Sequence, residues 1–170
     1  MEEAKLILRK ARCSEKVIDH CLAVSKLAGE IAERCSRKGL DVDVDLVEVG
    51  GLLHDLGRAK THGIRHAVVG GEMARELGLS NALVLIIERH LGAGILKEEA
   101  KALGLPEKSY IPETLEEKIV AYADKLIEGN RQVRMEETIS KFEEELGPKH
   151  PAIRRLRALK KFFDDVLKDQ

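Results

Sequence analysis

Gly50-Gly51-Leu52-Leu53-His54-Asp55-Leu56-Gly57-Arg58 ends an apolar run in an adjacent His and Asp, then a Gly and a basic residue. Imidazole and carboxylate are good ligands for a divalent metal, and a metal can hold phosphate. The glycines before the pair let other backbone come close. His-Asp dipeptides also arise by chance, so the meaning of this one depends on whether the chain supplies further ligands.

On its N-terminal side, Asp43 or Asp45 is placed to open a helix from Leu46 to about Leu56. Gly50 and Gly51 each cost such a helix roughly 1 kcal/mol relative to Ala, so they need a packing reason. Close approach to the preceding helix is the one expected. That helix is capped by Ser14 and runs to about Arg37, with an apolar stripe of Val17, Val24, Leu27, Ala28, Ile31 and Cys35 that also holds His20. A short helix from Glu2 to Arg12 comes first.

On the C-terminal side, a polar loop from Gly57 to Gly63 leads to a helix from Ile64 or Arg65 to Leu77. Ser80 caps the next, Asn81 to His90, which is apolar nearly all round and so predicted to be central and buried. Lys97 to Leu103 is a short helix, and Pro106 and Pro112 bracket an irregular linker. Thr114 with Glu117 forms a capping box for a helix to about Glu128, with Asp124 on its inward face and Gly129 closing it. Glu136 to Leu146 and Pro151 to Lys168 are two final amphipathic helices. No stretch has the alternation of a strand, and no linker splits the chain. The fold class is therefore all-α: one compact helical bundle over residues 1–170, its core at about 14–129 and helices of about 131–168 packed on it.

The chain has 170 residues, 44 % hydrophobic and 35 % charged, with a net charge of −1 and a pI near 6.6. This balance offers no basic field for a nucleic-acid polymer. No apolar run approaches the roughly eighteen residues of a membrane span, and the N-terminus has no signal-peptide pattern. Cys13, Cys21 and Cys35 form no CxxC, which fits a reducing, cytoplasmic setting. The high charge and lack of Trp resemble thermophile compositions.

The residues that carry chemistry are His20, then His54-Asp55, then Asp124 in Ala121-Tyr122-Ala123-Asp124-Lys125-Leu126. An Asp on an apolar stripe is costly unless it is paired or ligates a metal. In that order and on those helices, these residues resemble the HD-domain superfamily of metal-dependent phosphohydrolases. The resemblance covers roughly Ser14 to Gly129 and implies that His20, His54, Asp55 and Asp124 hold a divalent metal. His66 and His90, lying between the His-Asp pair and Asp124, extend it to the binuclear branch, similar to small bacterial proteins that hydrolyse diadenosine tetraphosphate. There Asp55 would bridge two ions, with His66 and His90 on the second. His62 competes with His66 but has no matching motif, and His150 is expected to be solvated. No Gly-Tyr-Pro follows the pair, which separates the chain from the cyclic-dinucleotide branch carrying that motif.

The resemblance implies hydrolysis of a phosphate ester or anhydride of a nucleotide or related small metabolite, with one or two ions of Fe, Mn, Ni, Co or Zn. Asp55 and Arg58 are the expected catalytic residues. Arg58, Lys60 and Arg89 are candidates for the substrate phosphate, and the Gly92-Ala93-Gly94 turn is a weaker one. The alternatives are a mononuclear nucleotide phosphomonoesterase and a non-catalytic helical module that binds nucleotide or metal. An oligomer is compatible with all of these.

Overall fold

A computed structural model describes residues 1–168. Among them are nine α-helices: α1 (Glu2–Lys10), α2 (Glu15–Arg37), α3 (Val44–Leu53), α4 (His66–Glu76), α5 (Asn81–Glu88), α6 (Lys97–Ala102), α7 (Leu115–Lys125), α8 (Met135–Leu146) and α9 (Pro151–Leu167). The all-α class holds, with one addition. Ile127–Glu128 (β1) pairs antiparallel with Arg131–Gln132 (β2) around Gly129, whose φ is +63°. Only two residues per strand alternate, too few for the pattern to show in sequence. This hairpin ends α7 at Lys125 rather than Glu128.

Caps are where side-chain chemistry put them. Ser14, Asp43, Ser80 and Thr114 accept from the backbone N–H of Val17, Leu46, Leu83 and Glu117. The predicted capping box at Thr114 is only half made. Glu117 accepts from Glu113 N–H at 2.7 Å and from Arg89 at 2.9 Å instead of closing back on Thr114.

Helix α2 lies at the centre, packed on α3 and α7. Val24, Ala28 and Ile31 of α2 join Ile119 and Val120 of α7 and Leu156 and Phe163 of α9 in one buried cluster. Stacked Tyr122 and Phe163 rings, 4.3 Å apart, help to join the C-terminal helices to this core. A second cluster, including Leu8, Ile18, Leu52, Leu56, Val84 and Ile87, lies between α1, α2, α3 and α5.

The glycine pair has two partners rather than one. A Cβ on Gly51 would lie 2.9 Å from Ser25 Cα in α2, the expected contact, whereas one on Gly50 would lie 2.8 Å from Ile86 Cδ1 in α5. Gly57 is tighter still, since a Cβ there would meet His66 O at 1.9 Å and Gly70 N at 2.6 Å. It belongs to a 3-10 turn, Leu56–Ala59, which replaces the first part of the predicted loop.

Candidate metal centre

Helix α3 stops at Leu53, so His54 and Asp55 stand in the break before the 3-10 turn rather than inside a helix. His20 comes from the first half of α2, His66 opens α4, His90 follows α5, and Asp124 lies in the last turn of α7. The fold draws these six side chains together, all buried or nearly so.

Each of the four histidines is oriented in the same way. Its Nδ1 lies against a backbone carbonyl: His20 on Gly129 at 2.7 Å, His54 on Gly51 at 2.7 Å, His66 on Gly63 at 2.9 Å and His90 on Ile87 at 2.7 Å. A carbonyl only accepts, so each Nδ1 carries the hydrogen and each Nε2 is left as a lone-pair donor aimed inward. The hairpin thus has a local role, because Gly129 supplies the carbonyl that sets the His20 ring.

The Nε2 atoms fall on two sides of Asp55. On one side, Asp55 Oδ2 is 3.9 Å from His20 Nε2 and 3.7 Å from His54 Nε2. Asp124 Oδ1 completes that side, 3.0 Å from His20 Nε2 and 3.4 Å from His54 Nε2. On the other, Asp55 Oδ1 is 3.1 Å from His66 Nε2 and 3.5 Å from His90 Nε2. His54 Nε2 and Asp55 Oδ1 are buried without a well-directed hydrogen bond. Buried polar atoms normally find partners, so two orphans facing one centre fit a cation better than a purely structural network. His20, His54 and Asp124 can hold one, as can His54, Asp55 and His90.

Burial and neighbouring charge set the ionisation of these groups. Burial would raise the Asp55 carboxyl, but His54, His66 and His90 hold it well below the usual range. Asp124 is likewise raised by burial and lowered further by Lys125, His20 and His54. Burial presses His54 toward neutrality, yet Asp55 and Asp124 leave its pKa raised. Burial pushes His90 down to about 4 against the pull of Asp55, so at neutral pH its lone pair is available.

A cavity of about 520 Å³ opens beside the centre, with His66, His90 and Asp124 in its wall. Arg58 lines it, and its Nε donates to Asp55 Oδ2 at 2.6 Å. The other two phosphate candidates do not reach it. Lys60 is exposed on a groove shared with Lys10 and Met73, and Arg89 is held by Glu117 at 2.9 Å and Glu113 at 3.2 Å. The ion pair that holds Arg89 spans 28 residues and leaves no local pattern. In their place the cavity has Lys125, which also contacts Asp124, and Arg155 of α9. His150, expected to be solvated, caps α9 by accepting from Ala152 N–H and lies at the cavity rim. Adjacency to Asp124 was a usable signal for Lys125; nothing local pointed to Arg155.

The HD-domain profile matches residues 17–129, a span that carries all six ligand candidates. The chain belongs to the HD-domain family. The HD-domain chain is 55 % identical to the uncharacterized protein MJ0778 of Methanocaldococcus jannaschii over 98 % of both chains. It is 39 % identical, over 95 % of its own length, to 46 % of the tRNA (cytidine(56)-2′-O)-methyltransferase of Thermoplasma volcanium. It thus spans about half of that relative, whose activity belongs to the longer protein. The HD domain of the L. monocytogenes phosphodiesterase PgpH, solved in complex with cyclic-di-AMP, superposes with a TM-score of 0.57 at 17 % identity, covering 96 % of this chain and 98 % of that one. This likeness establishes the shared fold. No helix among the described residues is long and apolar enough to cross a membrane.

Proposed function

We propose that this HD-domain chain is a metal-dependent phosphohydrolase that cleaves a phosphate ester or anhydride of a nucleotide or related small metabolite. The division of Asp55 carries the reading, with Oδ2 toward His20 and His54 and Oδ1 toward His66 and His90. That arrangement favours a site for two ions, with Asp55 placed to serve both. His20, His54 and Asp124 would hold the first, and His66 and His90 the second. Divalent ions held there would neutralise phosphoryl charge and lower the pKa of a water to near neutrality.

The chain's own groups supply the rest. Asp55 stays ionised at neutral pH because the surrounding imidazoles hold its pKa down. Arg58 fixes the Asp55 carboxylate through Nε and lines the cavity, where it would meet a substrate phosphate. Lys125 presents a second positive charge at the same wall. With His54 fully buried, bulk water is kept from one side of the centre, which strengthens these charge interactions.

The test is turnover by Mn- or Fe-loaded protein on a panel of nucleotides, dinucleoside polyphosphates and phosphodiesters, against His54→Ala and Asp55→Ala controls. Hydrolysis well above the controls is expected, and none above them would refute the reading. Metal analysis separates its two forms. Two ions per chain support the bridged centre. One ion, unaffected by His66→Ala and His90→Ala, supports the mononuclear phosphomonoesterase.

A further inference from the structure

The cavity beside the metal centre has a mixed lining. Arg58 and Lys125 share it with His66, His90 and Asp124. Leu91, Ile95, Leu103, Phe142 and Leu146 make much of the rest of it apolar. Leu103 and Leu146 are 50 % and 44 % exposed, an unusual state for two leucines sharing one hollow. Phe142 Cε1 would lie 3.8 Å from a Cβ on Gly92, so its ring lies beside the turn after His90. Glu145 and Glu99 also line it, the latter paired with Arg155 at 2.7 Å.

We propose that Phe142 is the specificity-determining residue of this site, supporting the flat heteroaromatic ring of a substrate the size of a single nucleotide, a nucleoside monophosphate or its close kin. The inference rests on the phosphohydrolase reading and narrows its substrate class. A bare sugar phosphate would leave the apolar lining wet, whereas a ring laid on Phe142 covers it. The volume suits one small molecule, within the roughly 300–1,000 Å³ of typical ligand sites.

The decisive comparison uses adenosine 5′-monophosphate and ribose 5-phosphate, which differ only by the base. In the full-length metal-loaded protein, kcat/KM is expected to favour the nucleotide roughly tenfold or more, the scale of stacking a base on an aromatic side chain. Phe142→Leu should remove most of that preference through KM with kcat nearly kept, and Phe142→Tyr should retain it. The same pair is compared by equilibrium dialysis against metal-free protein, which reads the subsite without turnover. If no ester is hydrolysed, the phosphohydrolase reading fails while the dialysis ratio still decides the role of Phe142. The inference is overturned if Phe142→Leu leaves the ratio unchanged or the wild type shows no preference. It is also overturned if a 5′-phosphorylated oligoadenylate outcompetes the monophosphate. Sedimentation showing a wild-type dimer that Phe142→Leu splits would instead make this face a subunit contact.

Discussion

His66 Nε2 and His90 Nε2 stand 2.9 Å apart, each with its Nδ1 turned to a backbone carbonyl. Two neutral imidazoles held in this way face each other with lone pairs alone. A cation between or beside them, whether a proton or a metal ion, turns the contact from repulsive to favourable.

Metal should therefore stabilise the fold. At a free concentration one hundred times Kd, a bound ion adds about 2.7 kcal/mol. For a domain of this size that corresponds to a Tm rise of roughly 5–11 °C by the usual 2–4 °C per kcal/mol. Differential scanning fluorimetry with Mn or Zn, before and after EDTA, measures it. An unchanged Tm would point to a helical module that holds no ion.

Asp55→Asn should cost more than loss of His20, His66 or His90, because the two Asp55 oxygens face the two sides of the centre. We expect at least a hundredfold fall in kcat and loss of metal from both sides. His90→Ala should spare the ion near His20. Mass spectrometric metal analysis of the two variants separates these outcomes.

Arg89→Ala should reduce stability and leave kcat and KM near wild type. It would strand the buried Glu117 carboxylate, whose side chain is 2 % exposed, and stranding one partner of a buried pair costs about 3 kcal/mol or more. Urea midpoints with parallel kinetics test this. A selective rise in KM would return Arg89 to the substrate.

Gly57→Ala should be the most damaging glycine replacement near the site. Its methyl would collide with the backbone of His66 and Gly70, whereas Gly50→Ala would meet only the side chain of Ile86, which can turn. Overpacking of the second kind costs about 1–3 kcal/mol. The first should exceed that and also displace His66, visible as lost metal as well as a lower urea midpoint.

The metal-free protein should weaken as pH falls from about 6.5 to about 4. His90 has its folded pKa pushed down from 6.5 to about 4, so the unfolded chain binds the extra proton across that window and folding stability rises with pH. The full effect of this fully buried ring is about 3 kcal/mol. Asp55 and Asp124, with depressed pKa values, act below it, contributing above about 3.8 and losing that contribution as pH falls further. His54 runs the other way: its raised pKa contributes fully below 6.5 and is lost as pH rises through the folded value. Urea midpoints at pH 5 and 7 for wild type and His90→Asn isolate the first term.

What the sequence alone determined was the helical class, the caps and the six ligand candidates. Helical periodicity and capping are written in residues three or four apart, and the His-Asp pair with its flanking ligands keeps a fixed order along the chain. Tertiary structure decided what depends on distant residues. The Gly129 carbonyl that orients His20 is 109 residues away, and the Glu117 that pairs with Arg89 is 28 residues away. The cavity draws Lys125, Phe142 and Arg155 from three helices whose apolar faces, read singly, look like ordinary packing surfaces. The reason is the same in each case. A side chain's neighbours within one helix follow from spacing, whereas its neighbours across helices follow from how whole faces dock.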